Sequence, residues 1–166
     1  MKNVYFVGAP TQDRGIEEFA YISSSCKSAK FYWFTYKISD EIIRKYKTIN
    51  FIRGLDDKTL RSYIKDNMDI FISCSHAEGF CLPIAEAMLL EKPVLSYALE
   101  EVQSVYSDLI EYVTCFDRNE FIKKLLPLIN ANNQSRIKKY AKAKMYIQDN
   151  YLPDIVSSKL LAYIIK

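Results

Sequence analysis

Two glutamates, Glu78 and Glu86, stand eight positions apart in the run Glu78-Gly79-Phe80-Cys81-Leu82-Pro83-Ile84-Ala85-Glu86-Ala87-Met88. A carboxylate is an acceptor-only group able to take two hydroxyl donors, so each suits a vicinal diol. The residues between them bring complementary chemistry. A Gly-aromatic step and a proline lead into a helix-like stretch, and the first N–H groups of a helix lack internal acceptors and favour negative charge. One place therefore offers carboxylates, free backbone N–H groups and a helix N-terminus. Such a place can bind a ligand carrying both hydroxyls and phosphates.

The elements that must position these residues follow from periodicity and turn signals. Met68 to Cys74 is an apolar, buried-looking strand just before the first glutamate, and Leu82 to Leu90 is helical, with Pro83 where a missing N–H costs nothing. Val4 to Val7, Lys30 to Thr35, Ile49 to Ile52, Pro93 to Ser96 and Tyr112 to Cys115 are further strand candidates. Helices are predicted over Gly15 to Cys26, from caps at Ser39, at Asp56 or Asp57 and at Asp117, and over Val102 to Ser107, Gln134 to Asn150 and Pro153 to Ile165. Gly8-Ala9-Pro10 is a turn signal after the first strand.

Strands alternating with helices at this spacing predict an α/β, Rossmann-like three-layer domain, with a parallel sheet of about six strands and extra carboxyl-terminal helices. In such sheets ligands sit at the carboxyl ends of the strands. Residues 1–166 read as a single domain, without internal repeat or low-complexity stretch.

Composition narrows the classes. The chain has 166 residues, 49% hydrophobic and 26% charged, which fits a real core and argues against disorder. A net charge of +3 suits an anionic small ligand and is too weak to argue for nucleic acid. The four cysteines form no C-x-x-C pair and His76 is the sole histidine, so free thiols in a reducing cytosol are expected rather than structural zinc. The apolar runs fall short of the roughly 20 residues that span a bilayer, and no signal segment opens the chain.

The segment Asp69 to Met88, followed by Glu91-Lys-Pro-Val-Leu-Ser, resembles the carboxyl-terminal domain of glycosyltransferase family 4, enzymes with the two-domain GT-B fold. The family hallmark is two glutamates separated by seven residues, usually within E-G-F-G-L-P-x-x-E-A-M and followed by G-K-P-V. The resemblance is specific over residues 68 to 96 and looser elsewhere; Ile49 to Gly54 is similar to the family's V-x-F-x-G strand.

The resemblance implies roles for particular positions. Glu86 would hold the ribose hydroxyls of a nucleotide, and Glu78 would contact the donor sugar as the catalytic-site carboxylate. Backbone groups of Gly79, Phe80, Cys81 and Leu82 would face the sugar and diphosphate. Gly8 matches the first glycine of the family's G-R element, and Arg14 stands where the family has a diphosphate-binding lysine. Ala9 replaces the arginine, so one of two cations is missing. Cys81 replaces a common glycine, Ala98 to Gln103 lacks the usual G-G segment, and the strand ending Phe34-Thr35-Tyr36 lacks a glycine-rich turn. The nucleotide-diphospho-sugar would be a substrate, with no cofactor. No metal is expected, since Arg14 and a helix dipole take its place and no Asp-x-Asp element is present.

Plainer readings stand beside these. Glutamates favour helix starts without any ligand. Arg14 alone reads equally as a solvated side chain, and His76 as a loop histidine that either touches the donor or does nothing chemical. Cys81 near a helix start would have a lowered pKa but lacks a partner base for a nucleophile role. Phe31-Tyr32-Trp33-Phe34 reads as sheet core. Arg136, Lys138, Lys139, Lys142 and Lys144 form either a solvated helix face or a helix drawn to anionic lipid.

The leading expectation is a glycosyltransferase domain for retaining transfer from a nucleotide-diphospho-sugar to a glycan, lipid or protein, cytoplasmic or peripheral at the inner face of the membrane. The alternatives are a donor-binding module that needs a partner chain supplying the GT-B amino-terminal half, and a nucleotide-sugar epimerase-like domain, whose matching histidines are lacking. The apolar run Ile155, Val156, Leu160, Leu161, Tyr163, Ile164 and Ile165 is similar to the last GT-B helix, which crosses to the other domain.

Overall fold

The computed structural model of the chain describes residues 1–131 and 137–164. Six parallel strands form one sheet: β1 (Lys2–Val7), β2 (Ala29–Thr35), β3 (Ile49–Arg53), β4 (Ile70–Ser73), β5 (Val94–Tyr97) and β6 (Glu111–Val113), in the order β3-β2-β1-β4-β5-β6. The helices between them are α1 (Ile16–Ser25), α2 (Asp40–Lys45), α3 (Asp57–Asn67), α4 (Leu82–Leu89), α5 (Glu100–Tyr106), α6 (Arg118–Asn130), α7 (Ile137–Tyr151) and α8 (Pro153–Ile164), with a 3₁₀ turn at Ser107–Leu109. This is the α/β, Rossmann-like layer that the alternation predicts.

Local chemistry sets the boundaries. The side chains of Ser39, Asp56 and Asp117 accept from the backbone N–H groups of Ile42, Thr59 and Glu120, and so start α2, α3 and α6. Helix α5 begins at Glu100, two residues before the sequence-based expectation, because acidic residues in a first turn favour the helix dipole. β4 is shorter than its apolar run: the Met68 N–H still closes onto Ile64 carbonyl at the end of α3, and Asp69 N–H pairs with Asn3. The start predicted for α7 at Gln134 lies outside the described residues, as does Arg136.

The central strands are buried on both faces, as continuous apolar runs in a parallel sheet require. Val4, Tyr5, Phe6, Phe31, Trp33, Phe34, Ile70, Phe71, Ile72 and Leu95 are all buried, so the aromatic run in β2 is sheet core. Trp33 meets Phe6 at 4.5 Å and Phe19 of α1 at 5.1 Å between ring centroids, and its indole N–H donates to Gly8 carbonyl at 2.9 Å. The packed ring thus fixes the turn that leaves β1.

The basic stretch on α7 is tied to the domain. Lys139 reaches Glu111 at 3.1 Å, Lys144 reaches Glu91 at 3.0 Å, and Lys142 lies 4.0 Å from Asp108. No described helix is long and apolar enough to cross a membrane. Of the apolar run on α8, Val156 is exposed, and the side chains from 159 onward lie outside those described.

Candidate functional site

The strand order reverses between β1 and β4, the switch point where α/β sheets open a crevice at their carboxyl ends. Their ladder holds only Val4 with Ile70 and Tyr5 with Phe71. Two loops then face each other: residues 8–15 after β1 and residues 74–81 after β4. His76 N–H donates to Asp13 carbonyl at 2.8 Å and joins them. Gly15 makes the approach possible. It has φ 73°, and a Cβ there would lie 2.0 Å from Cys74 carbonyl oxygen, so only glycine fits.

The two glutamates sit on opposite sides of the start of α4. Glu78 pairs with Arg14 across the loops and keeps only 7% of its side chain exposed. It lines an open cleft of about 390 Å³ with Arg14, His76, Gly79 and Glu101. The hydrogen bond from Arg14 to Glu78 raises the guanidinium pKa and outweighs the burial that works against its charge. Glu86 lines a second cleft of about 330 Å³ with Gly8, Arg61, Leu82 and Pro83, and Arg61 lies 3.2 Å from its carboxylate. A third cleft, about 440 Å³, shares Val7, Gly8, Asp57 and Leu60 with the second and runs out to Tyr36 and Lys37. The second and third clefts adjoin, while the Glu78 cleft shares no lining residue with either, so the two carboxylates line separate clefts along the strand ends.

The loop between the two glutamates carries the unpaired donors. Ile84 N–H takes Cys81 carbonyl at 2.9 Å and Pro83 has no N–H, while the N–H groups of Gly79, Phe80, Cys81 and Leu82 meet no carbonyl among the loop and turn hydrogen bonds of the described residues. The opposite face of the loop is fixed: Tyr106 hydroxyl donates to the carbonyls of Phe80 at 2.6 Å and Cys81 at 3.2 Å. The Phe80 ring packs 5.7 Å from Tyr106 and 4.9 Å from Tyr151.

Cys81 corrects one expectation. Its thiol is not acidified by the helix start. Burial, and then the nearby charge of Glu78, push it up to about 12. Its backbone takes φ 51°, the left-handed region that favours glycine, so the cysteine holds a conformation that costs a residue with a Cβ.

Gly8, Leu82 and Glu86 thus line one cleft and Arg14, His76, Glu78 and Gly79 another at the same edge of the sheet, while Phe80 and Cys81 lie between them and line neither. His76 stands beside a further ion network. Glu18 on α1 receives Arg118 at 2.9 Å, and its carboxylate lies 3.2 Å from His76 Nε2. Burial raises the Glu18 pKa, but the hydrogen bond from Arg118, its own backbone and the nearby His76 ring outweigh it and hold the carboxyl below its ordinary range. The ring of His76 also meets Phe116 edge-on at 5.0 Å.

Sequence reasoning missed Arg61, Tyr106 and the Glu18–Arg118 pair. Two had a readable signal. Asp57, Leu60, Arg61 and Ile64 fall on one face of α3 at helical spacing and all line the Glu86 cleft. Val102 and Tyr106 share the buried face of α5 at i, i+4. The contact of Glu18 with Arg118, 100 positions apart, had none.

The fold and its switch-point groove define a class: the carboxyl-terminal, Rossmann-like half of a GT-B architecture. The family model described as glycosyl transferases group 1 matches residues 37–144, and the chain belongs to that family. Solved structures agree on the fold. The carboxyl-terminal domain of the group 1 glycosyl transferase LpcC from Francisella tularensis is 20% identical, with a TM-score of 0.73 over 92% of this chain and 87% of that one. S. aureus TarM, solved as a point mutant in complex with fondaparinux, alpha-GlcNAc-glycerol and UDP, is 19% identical, with a TM-score of 0.77 over 97% of this chain and 35% of that one. Sucrose-phosphate synthase from Thermosynechococcus elongatus is 14% identical, with a TM-score of 0.82 over 99% and 45%. The chain therefore spans about a third of TarM. No curated protein matches its sequence.

Proposed function

We propose that the chain is the donor-binding domain of a glycosyltransferase that takes a nucleotide-diphospho-sugar and transfers the sugar with retention. The observation that carries this reading is the loop between the two glutamates. Unpaired N–H groups at the start of α4 lie between two carboxylates at the sheet's switch point. The diphosphate would take the N–H groups of Gly79 to Leu82 and the Arg14 guanidinium. Glu86 would accept the ribose diol, and Glu78 the sugar hydroxyls. The base would lie in the cleft beside Phe34, Tyr36 and Leu55. The domain's contribution is positioning and charge stabilisation of the departing diphosphate, which needs no group outside the chain and the donor.

Support comes from the family match and from a relative of the same fold holding UDP. The cysteines are free, which suits the cytoplasm as its place of action. Calorimetric titration with UDP-, GDP- and ADP-sugars tests the reading. One class should bind, and Glu86→Ala should weaken it at least about tenfold, the loss of a charge-assisted hydrogen bond pair. Wild-type affinity in that variant would count against the site.

A second reading has its own observation. Tyr36, Leu82 and Phe116 project exposed from the same edge of the sheet, and the chain spans a third of TarM. A donor-binding module completed by a second Rossmann-like body would cover them. Transfer by the isolated chain would exclude the second reading, whereas donor binding without transfer fits both, and recovery of a partner carrying a Rossmann-like domain then supports the second.

A further inference from the structure

Each glutamate of the groove is already held by an arginine, and the two pairs differ. Arg14 on Glu78 bridges two loops over a nearly buried carboxylate. Arg61 on Glu86 is open: 66% of the Arg61 side chain is exposed, with the carboxylate 3.2 Å away. We propose that Arg61 is a second phosphate-binding cation of the donor site, passing from Glu86 to the diphosphate when a ribose diol takes the carboxylate. This rests on the donor reading above.

Position comes first. Arg61 shares its cleft with Gly8, Leu82, Pro83 and Glu86, which are the turn after β1, the start of α4 and the acid behind it. It is the only cation lining that cleft among the described residues. Arg14 lines the cleft on the other side of the α4 start. A diphosphate on the unpaired N–H groups would have one guanidinium on each flank.

Charge comes second. The groove's acids include Glu78, Glu86 and Asp57, and a diphosphate adds more negative charge beside them. Position 9 is alanine and supplies nothing. Each glutamate already holds one guanidinium, Arg14 at Glu78 and Arg61 at Glu86, so Arg61 is the cation that can join Arg14 in answering that charge without new side chains. Its planar fork suits phosphate oxygens.

Freedom to move comes third. Arg61 sits on the inward stripe of α3, with Asp57, Leu60 and Ile64, so its stem points to the groove while its head stays in water. Exposed ion pairs are weak, so releasing Glu86 costs little. The ligand then satisfies both partners at once: hydroxyls on the carboxylate, phosphate on the guanidinium.

The test compares wild type, Arg61→Gln and Arg61→Lys by calorimetry, using UDP, GDP and ADP, the matching nucleosides, and inorganic pyrophosphate. Thermal melts confirm that each variant folds. Arg61→Gln should weaken the bound diphosphate and pyrophosphate about tenfold while nucleoside affinity stays within about twofold. Arg61→Lys should recover part of the loss, since a point charge replaces a fork. Unchanged diphosphate affinity in Arg61→Gln overturns the inference alone. So does tighter binding of nucleoside and diphosphate together, which would make Arg61 only a plug on Glu86. If the wild type binds none of the diphosphates, the donor reading fails and the inference with it.

Discussion

The Tyr106 hydroxyl donates to Phe80 carbonyl at 2.6 Å and, more weakly, to Cys81 carbonyl at 3.2 Å. Two consecutive carbonyls are thereby held by one side chain, while the N–H groups of Gly79, Phe80 and Cys81 meet no carbonyl among the loop and turn hydrogen bonds of the described residues. Tyr106 is fully buried, and desolvation raises its pKa far above the ordinary tyrosine value, so it is a neutral donor at every working pH.

Tyr106→Phe removes only that donor and keeps the ring. Phe80 carbonyl then loses its partner while Cys81 carbonyl keeps Ile84 N–H, and unfolding stability should fall by about 1–3 kcal/mol. Donor affinity should fall as well, because the loop no longer presents its N–H groups in one arrangement. Denaturant melts and nucleotide titration check the two effects. Full stability with full affinity would remove Tyr106 from the site's support.

Two glycines make a controlled pair. Gly15→Ala would drive a Cβ to 2.0 Å from Cys74 carbonyl oxygen at φ 73°, and should cost more than about 3 kcal/mol. Gly79→Ala meets nothing within 4 Å and should fold within about 1 kcal/mol of wild type. Any loss of donor binding in Gly79→Ala then reports on the groove and not on the fold.

Much of this was legible in advance. The alternation of strands and helices gave the sheet, and Ser39, Asp56 and Asp117 marked helix starts through side-chain acceptors that act within three residues. The paired glutamates announced their own place, since strand, loop and helix start are contiguous there. Arg61 and Tyr106 were hidden for a different reason. Helical spacing marks the face each belongs to, but the contact lies 25 or 26 residues away on a neighbouring crossover, and packing decides which side chain of that face makes it. The lowered pKa expected for Cys81 failed because burial and the Glu78 charge outweigh the helix start.

Thiol reactivity tests that correction. With its pKa pushed up to about 12, Cys81 should resist iodoacetamide at pH 8 in the folded protein. Buried Cys26 and Cys74, also raised by desolvation, should resist too, leaving half-buried Cys115 to react first. Rapid labelling of Cys81, mapped by peptide mass, would show that the loop opens freely.

Acid should loosen the wall behind the groove. Glu18 has a folded pKa below 4.5, its ordinary value, so the unfolded chain binds its proton first as pH falls. Its contribution is complete above pH 4.5 and is lost as pH drops through the folded value. Glu18→Gln should remove that part of the acid limb, giving a stability profile flatter below pH 4.5 than wild type. An unchanged acid limb would mean that the pairs with Arg118 and His76 contribute nothing in solution.

The most direct measurement is an amide NMR titration of the labelled chain with UDP, GDP and ADP. The bound nucleotide should shift Gly8, Gly79, Phe80, Cys81 and Leu82 together, and Glu86→Ala should abolish those shifts at the same concentration. Shifts confined to other parts of the sheet, or a Glu86→Ala response equal to wild type, would contradict a donor held at the start of α4.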